Sequence, residues 1–326
     1  MNIRTILTGA TAACVLGLAA QAQELKFANF TPPFHTINAS VIETLNAAIS
    51  DATGGETSVR GYHGGELGAG PVEQYVRAVQ GVADMVWGLP GYTSSQFERT
   101  MLVELPDAIP LDKPGYESLW AAFDENLADE FPATVPLALW TSEPNIFIMK
   151  DHDIRSPADV EGLKLRVAGA TSAEVIEALG GTPVQMPINQ VYNALQTGLI
   201  DGVVTGASTL NDFKLDEVAN SYTLGANLGR LSFYTVMNQG AYDSLSDEAR
   251  AALDEVAGPN LSQIAEEAWD AQAEDAMSKA RESGDNTVID LSEEEAQAFS
   301  DAVADVVDTY VADVGGEAAL AAMRGE

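Results

Sequence analysis

A single arginine stands out within residues 157–205. Arg166 lies in an apolar, strand-like segment between Leu165 and Val167, in a chain with 16 Lys and Arg against 49 Asp and Glu. Its planar guanidinium offers two parallel N–H donors that match the two oxygens of a carboxylate. We therefore expect Arg166 to anchor a small organic acid. The alternative is a structural salt bridge with one of the many acidic side chains.

Strands and helices alternate along the rest of the sequence. β-rich or apolar segments predict strands, and 3.6-residue periodicity predicts helices. Strands are expected at 25–30, 57–60, 83–89, 135–141, 146–150 and 231–238, and helices at 36–52, 114–131 and 301–314. The alternation indicates βαβ units and parallel sheets, and a mature chain of about 300 residues is long enough for two domains.

Two segments are predicted to cross between these domains. Glu143 and Pro144 separate two of the expected strands, and the strand at 231–238 is the expected return crossing. Towards the C-terminus the sequence becomes helical and acidic, and the pair Gly258 and Pro259 predicts a kink there.

Residues 1–22 have the pattern of a signal peptide. Arg4 supplies the positive end, an apolar core too short for a permanent membrane span follows, and Ala20 and Ala22 form an A-x-A cleavage site. Cleavage near Ala22 predicts export to the periplasm without a direct membrane anchor. The alternative is a lipoprotein in which Cys14 carries the lipid. Cleavage removes this only cysteine, so the mature chain has no disulfide and no thiolate.

The charge of the chain limits its partners. A formal net charge of −33 repels nucleic acid and anionic membrane surfaces, so neither is an expected partner. Attraction of an organic anion must therefore be local, from a few arginines and backbone N–H groups. Strong acidity also suits a saline habitat, where salt screens the repulsion between acidic side chains. The alternative, at least equally supported, is that the acidic surface only keeps the protein soluble.

No cofactor and no metal site are expected. The glycine-rich residues 64–70 lack the Lys-Ser/Thr ending of a phosphate-binding loop and the G-x-G-x-x-G spacing of a dinucleotide site. The acidic run at 293–295 is typical of a solvated helix face. Three scattered histidines and no mature cysteine leave little for a transition metal.

The most specific motifs match a known family. They lie at 156–159 (SPAD), 162–166 (GLKLR), 191–198 (VYNALQTG) and 201–202 (DG), supported by 32–35 (PPFH) and 65–68 (GELG). With these motifs the chain resembles the extracytoplasmic solute-binding receptors of TRAP transporters, the C4-dicarboxylate-binding type. The resemblance implies an α/β fold of two-lobed periplasmic-binding-protein type, with hinge strands and long C-terminal helices. Its lobes would close over a carboxylate held by the arginine that matches Arg166.

The resemblance also predicts how the chain divides and what it works with. Lobe I is expected from residues 24–143 plus 232–271, and lobe II from residues 144–231 plus 272–326. The partners implied are an organic-acid ligand and the membrane permease subunits of a TRAP transporter, which an ion gradient drives. A monomer is the expected state.

Three positions depart from the family pattern. Many relatives carry a ligand-contacting asparagine where Thr205 stands, an aromatic residue where Ile188 stands, and a second arginine in the strand that holds Asn145. Fewer charged and amide groups predict a ligand with one carboxylate and a less polar tail. Aromatic or keto monocarboxylates are therefore favoured over C4 diacids and sugar acids.

Ten residues are candidates for ligand contact. They are Arg166, Thr205, Trp87, Asn145, Tyr92, Phe34, His35, Gln190, Tyr192 and Glu66. Thr205 and Asn145 are chosen by correspondence with the family alone. Core packing is the alternative for Trp87 and Tyr192, and a solvated loop position is the alternative for His35.

The leading interpretation is a non-enzymatic periplasmic receptor that closes over an organic acid and delivers it to the permease. An exported hydrolase that uses the same cleft is one alternative, although the sequence has no G-x-S-x-G elbow and few histidines. A ligand-sensing partner of a membrane signalling protein is another, because the same fold could serve it.

Overall fold

Two β-sheets form the framework of the molecule. The computed structural model describes residues 22–110 and 113–326, so the predicted signal peptide lies outside the described residues except for Ala22. The strands are β1 (Gln23–Ala28), β2 (Thr57–Tyr62), β3 (Met85–Gly88), β4 (Thr134–Thr141), β5 (Ile146–Met149), β6 (Lys164–Val167), β7 (Thr182–Gln185), β8 (Gly202–Thr205), β9 (Ser221–Leu224), β10 (Ser232–Asn238) and β11 (Thr287–Asp290). One sheet has the order β2-β1-β3-β10-β4 and the other β11-β9-β5-β8-β6-β7.

Helices cover both sheets. The α-helices are α1 (Glu43–Ala52), α2 (Gln74–Val79), α3 (Gly115–Ala122), α4 (Ala170–Ala178), α5 (Val191–Thr197), α6 (Thr209–Asp212), α7 (Gln239–Asp243), α8 (Asp247–Val256), α9 (Pro259–Ser283), α10 (Glu293–Val314) and α11 (Glu317–Arg324). Short 3-10 helices lie at Pro90–Gln96, Thr100–Glu104, Ala128–Glu130, Pro157–Val160, Ile188–Gln190 and Leu215–Glu217, and π-helical turns at Asn38–Ile42 and Phe123–Leu127. No helix within the described ranges has the length and apolar character that a membrane span requires.

This two-sheet α/β architecture confirms the predicted fold class, including the long C-terminal helices α9 and α10. The alternation predicts parallel sheets, whereas both sheets contain parallel and antiparallel pairs. Strand β10 runs antiparallel to β3 and β4, and β5 runs antiparallel to β8 and β9. These exceptions involve the strands that enter or leave a crossing between lobes. Parallel neighbours are joined by a crossover connection, usually a helix, and a strand at a crossing lacks such a connection within its own sheet.

The lobes are connected where β4 leads into β5 and where β9 leads into β10. Helix α9 is a third connection, since Glu266 accepts hydrogen bonds from Thr141 N at 2.9 Å and Gly115 N at 2.7 Å, both beside the first sheet. Further along α9, Gln272 Nε2 donates to Asp212 Oδ1 at 3.0 Å, beside the second sheet. One helix therefore contacts both lobes.

Local sequence signals explain where the long helices begin and end. Pro259 occupies the first turn of α9, and Gly258 before it has a φ of 71°, so the predicted kink is a break between α8 and α9. Helix α10 begins earlier than the predicted residue 301, because Ser292 and Glu295 form a capping box.

The division of the chain into lobes stays a prediction, and one segment differs from it. Helix α11 packs against α3, and Lys113 Nζ donates to the carbonyl oxygen of Met323 at 2.7 Å. Residues 317–324 therefore lie beside the first sheet, whereas the sequence placed 272–326 in lobe II. The intervening β11 and α10 do lie with the second sheet, on β9 and α4.

Candidate functional site

A pocket lies between the two sheets, beside the crossing strands. Its lining residues surround about 430 Å³ of space outside protein atoms, part of which is open to solvent. Residues from the first lobe, the second lobe and the crossings line it, among them Trp87 and Tyr92, Arg166 and Thr205, and Leu231 and Phe233. A ligand in this pocket would contact both lobes at once.

Strand register explains why Arg166 points towards the pocket. Arg166 on β6 lies beside Val184 of β7 and Val203 of β8. Its neighbours Leu165 and Val167 are buried in the apolar cluster on the opposite face of the sheet. Because side chains alternate along a strand, the guanidinium must emerge on the face that borders the pocket.

The Arg166 guanidinium is buried without a carboxylate partner. The residue is 1% exposed, and among the described residues no Asp or Glu lies within ion-pair distance of it. Nε donates to the carbonyl oxygen of Met186 at 2.9 Å, and an Nη donor lies 3.3 Å from the hydroxyl of Tyr92. Burial lowers the pKa of Arg166, yet a guanidinium stays protonated in proteins. The pocket therefore contains a buried positive charge that an anion would neutralise.

Tyr92 extends to Arg166 from the opposite lobe. It lies in the 3-10 helix Pro90–Gln96, next to the first sheet. Its hydroxyl accepts the backbone N–H of Ile188 at 3.1 Å as well as the hydrogen bond from Arg166. Both of these donors belong to the second lobe, so the lobes are closed in this structure. The hydroxyl proton of Tyr92 is left to donate into the pocket.

Thr205 lies on the same face as Arg166. It is two residues after Val203, the register neighbour of Arg166, and it lines the pocket at the end of β8. Gly198, with a φ of 71°, ends α5 and turns the chain towards this strand. Arg166 and Thr205 thus present polar groups near the carboxyl ends of two neighbouring parallel strands, where α/β sheets bind ligands.

Aromatic rings form the apolar wall of the pocket. Trp87 stacks on Phe30 with ring centroids 4.5 Å apart, and its ring lies 6.0 Å from both Phe233 and Trp269. The indole N–H of Trp87 donates to Asn29 Oδ1 at 2.9 Å, which fixes the orientation of the ring. Trp87 therefore both packs in the core and borders the pocket. Such a wall suits a flat, apolar ligand tail.

His35 and Asp212 form a polar pair in the same pocket. His35 is 3% exposed, so it is not the solvated loop histidine of the alternative interpretation, and Asp212 is 2% exposed. Nδ1 of His35 accepts the backbone N–H of Ile37 at 3.1 Å, while Nε2 lies 3.6 Å from Asp212 Oδ2. Burial lowers the pKa of His35 to about 4, although Asp212 opposes the shift. His35 is therefore neutral at pH 7, with its proton on Nε2.

Three predicted ligand residues lie at the surface. Phe34 is 60% exposed, and Glu66 and Gln190 are exposed as well. None of these side chains lines the pocket. Phe34 is adjacent to His35 in the loop, and the turn directs the two side chains to opposite sides.

Two further candidates are engaged elsewhere. The hydroxyl of Tyr192 donates to Glu217 at 2.8 Å, outside the pocket. Asn145 Nδ2 donates to the carbonyl oxygen of Leu228 at 3.3 Å, and Asn145 borders a separate cavity behind the crossing strands. Of the ten candidates, the pocket brings together Arg166, Thr205, Trp87, Tyr92 and His35.

Sequence reasoning missed several residues of the pocket. Asp212, Phe213, Phe233 and Trp269 line it, and none was a candidate. Trp269 carried a usable signal, because it is the only aromatic residue of α9. Asp212 carried none, since it is one of 49 acidic residues in the chain. Among the described residues, no cluster of three or more His, Cys, Asp or Glu side chains could hold a metal ion.

Comparison with known proteins agrees with this architecture. The family model of bacterial extracellular solute-binding proteins, family 7, matches residues 27–313. The ectoine-binding periplasmic protein TeaA of Halomonas elongata is 27% identical over 263 residues, which cover 78% of this chain and 75% of that protein.

Two solved structures share the whole fold. A TRAP solute-binding protein from Rhodoferax ferrireducens, in complex with copurified benzoate, superposes with a TM-score of 0.84 at 27% identity, covering 93% of this chain and 96% of that one. A marine metagenome TRAP protein specific for aromatic acids, in complex with 3-hydroxybenzoate, gives a TM-score of 0.85 at 28% identity, covering 92% and 97%. The chain therefore belongs to family 7 of the bacterial extracellular solute-binding proteins and is a TRAP-type solute-binding protein.

Proposed function

We propose that this receptor captures a small monocarboxylate in the periplasm, with Arg166 as its anchor, and delivers it to a TRAP-type permease. Aromatic acids are the favoured ligands, ahead of keto acids, C4 diacids and sugar acids. The observation that supports the proposal most strongly is the buried Arg166 guanidinium, which has no carboxylate partner among the described residues.

The charges of the pocket favour a single carboxylate. Arg166 is the only Lys or Arg among the described residues that line it. A second carboxylate would meet no second cation there, and it would face Asp212. Desolvating an unpaired carboxylate is costly, so C4 diacids should bind less tightly than a monocarboxylate of suitable shape.

The wall of the pocket favours an aromatic tail. Phe30, Trp87, Phe233 and Trp269 surround the space next to Arg166 and Tyr92. Aromatic rings stack well against such side chains in offset or edge-to-face geometry. Relatives of the same fold were crystallised with benzoate and 3-hydroxybenzoate, which supports the assignment of this ligand class.

The geometry of His35 weighs against a hydrolase. A general base needs a free lone pair towards the nucleophile. The only lone pair of neutral His35 is on Nδ1, where it accepts the N–H of Ile37. The pocket hydroxyls of Ser142 and Thr209 donate to backbone carbonyl oxygens, at 2.7 Å in both cases.

Closure would couple ligand capture to transport. The ligand would hold the lobes together by binding the closed form more tightly than the open form, and the permease would recognise the closed surface. The Tyr92–Arg166 contact lies at the junction, so a carboxylate bound there would strengthen it.

A thermal-shift screen of the mature protein, residues 23–326, tests the proposal. The panel contains benzoate, mandelate, keto acids, C4 diacids, sugar acids and ectoine. A ligand at 100 times its dissociation constant should add about 2.7 kcal/mol to the free energy of unfolding. We expect the largest rise in melting temperature with an aromatic monocarboxylate. A rise only with diacids or sugar acids would contradict the proposed ligand class, and mass spectrometry of the denatured protein checks for a copurified ligand.

A further inference from the structure

His35 and Asp212 each have a polar atom in the pocket that makes no hydrogen bond to the described residues. Asp212 Oδ1 accepts three hydrogen bonds, from Thr36 N at 3.2 Å, Thr36 Oγ1 at 3.1 Å and Gln272 Nε2 at 3.0 Å. Asp212 Oδ2 accepts no hydrogen bond from the described residues, and Nε2 of His35 lies 3.6 Å from it. This separation is too long for a hydrogen bond. The His35 N–H and Asp212 Oδ2 therefore face each other with no hydrogen bond between them.

A hydroxyl group would satisfy both atoms. It accepts from His35 Nε2–H through one lone pair and donates its proton to Asp212 Oδ2. Buried polar groups are expected to have hydrogen-bond partners, so this arrangement suits a ligand hydroxyl. We propose that the receptor selects an aromatic acid that carries a hydroxyl group on its ring, with the hydroxyl bound between His35 and Asp212. This inference rests on the proposed function, because Arg166 holds the carboxylate of the same ligand.

The surroundings of the pair direct an aromatic ring towards it. The imidazole of His35 has Phe213 at 5.1 Å, Trp87 at 5.3 Å and Trp269 at 5.5 Å, measured between ring centroids. These three rings shield the pair from water, which strengthens a hydrogen bond to Asp212. Apolar walls that end in one donor and one acceptor are the pattern expected for a hydroxylated ring.

A ligand cation fits the same place less well. An ammonium group would pair with Asp212 Oδ2, and aromatic walls favour cations. The N–H of His35, however, points at the same position, and it would oppose a second donor. His35 cannot turn its lone pair there without giving up the hydrogen bond from Ile37 N.

Calorimetry with matched acids tests the inference. The probes are benzoate and phenylacetate, their meta- and para-hydroxyl derivatives, the corresponding methoxy derivatives, and para-aminomethylbenzoate. We expect at least one hydroxyl derivative to bind about 10- to 100-fold more tightly than its parent acid, the usual effect of a buried hydrogen bond to a charged group. Its methoxy counterpart, which cannot donate to Asp212, should lose this gain.

The variant Asp212→Asn separates recognition from folding. In this variant the amide oxygen would stay at the Oδ1 position, where Thr36 and Gln272 donate, and the NH₂ group would take the position of Oδ2. The ratio of the affinities for the hydroxyl derivative and its parent should then fall to about one, because a hydroxyl cannot donate to an NH₂ group. The control Asp216→Asn, outside the pocket, should keep the wild-type ratio, and thermal unfolding of both variants checks that they fold.

The outcomes distinguish the inference from the proposed function. Equal affinities for parent and hydroxyl derivatives would overturn the inference and leave the proposed function standing. An unchanged affinity ratio in Asp212→Asn would also overturn it. If para-aminomethylbenzoate bound most tightly, the group held between His35 and Asp212 would be a cation and not a hydroxyl, which would overturn the inference. Failure of every aryl acid, together with binding of another carboxylate, would overturn both the inference and the proposed ligand class.

Discussion

The hydroxyl of Tyr92 lies 3.3 Å from Nη2 of Arg166, and the two residues belong to opposite lobes. The same hydroxyl accepts the N–H of Ile188 at 3.1 Å. One oxygen therefore joins lobe closure to the proposed carboxylate anchor. The guanidinium is buried, and its position depends on a contact with the lobe opposite to its own.

Removing the Tyr92 hydroxyl should weaken both closure and binding. In Tyr92→Phe, the N–H of Ile188 and one N–H of Arg166 lose their acceptor. We expect the affinity for the best ligand to fall by about 10-fold, mainly through faster dissociation, as expected for a hydrogen bond to a charged group. Stopped-flow fluorescence of the tryptophans measures both rates. The control Tyr242→Phe, whose hydroxyl donates to Asp254 near the surface, should leave them unchanged.

Closure also requires two glycines to touch. A Cβ atom added at Gly169 would lie 2.6 Å from the Cα atom of Gly91 on the other lobe. Gly169 itself has a φ of −149° and a ψ of −172°, extended backbone that alanine can adopt. A methyl group there would obstruct the closed state without straining the backbone.

Gly169→Ala should therefore lose affinity although residue 169 does not line the pocket. We expect at least ~10-fold weaker binding, because the ligand must bind a state that cannot close fully. Small-angle scattering should show less compaction on ligand addition than in the wild type. The matched control is Gly240→Ala, an exposed helix position where Cβ would approach only Asn238 Oδ1, at 3.3 Å. Wild-type affinity in Gly169→Ala would show that this contact does not limit closure.

A buried carboxyl in the first crossing makes stability depend on pH. Glu143 Oε1 accepts the N–H of Ser208 at 2.6 Å, whereas Oε2 has no hydrogen-bond partner among the described residues. Burial raises the pKa of Glu143 from its ordinary value of 4.5 to about 7, although Ser208 opposes the shift. Its stabilising effect is thus fully present below pH 4.5 and is lost as the pH rises through about 7.

Glu143→Gln should remove this pH-dependent contribution to the free energy of unfolding. Between about pH 5 and about pH 8 we expect the variant to gain about 1–3 kcal/mol in free energy of unfolding relative to the wild type. The amide oxygen can still accept the N–H of Ser208. Urea unfolding at both pH values provides the measurement, with the exposed Glu255→Gln as the control. A constant difference between variant and wild type across this range would show that Glu143 titrates normally.

The sequence predicted the parts of the site that local chemistry marks. Arg166 was recognisable as a cation in an apolar strand of an acidic chain, and the structure places it in the pocket with Thr205, Trp87, Tyr92 and His35. The family, the α/β class and the long helices followed from motifs and periodicity. These features depend on short stretches of sequence or on a pattern that the family shares.

The remaining features depend on distant contacts. Asp212 lies in the pocket through contacts with residues distant in sequence, among them His35, 177 positions earlier, and Gln272. Phe34 and Asn145 have side chains suitable for ligand contact, yet Phe34 is exposed on its loop and Asn145 borders a separate cavity. The antiparallel strands likewise reflect crossings between lobes, which no periodicity within one segment encodes.

Arg166 is the proposed carboxylate anchor of the pocket, and changing its guanidinium tests that role most directly. Calorimetry of Arg166→Lys with the best ligand of the wild type tests it, with the exposed Arg155→Lys as the matched control. We expect the affinity of Arg166→Lys to fall by about 100-fold or more, because an ammonium point charge cannot reproduce two parallel N–H donors, while the control binds as the wild type does. Wild-type affinity in a folded Arg166→Lys variant would contradict the central claim.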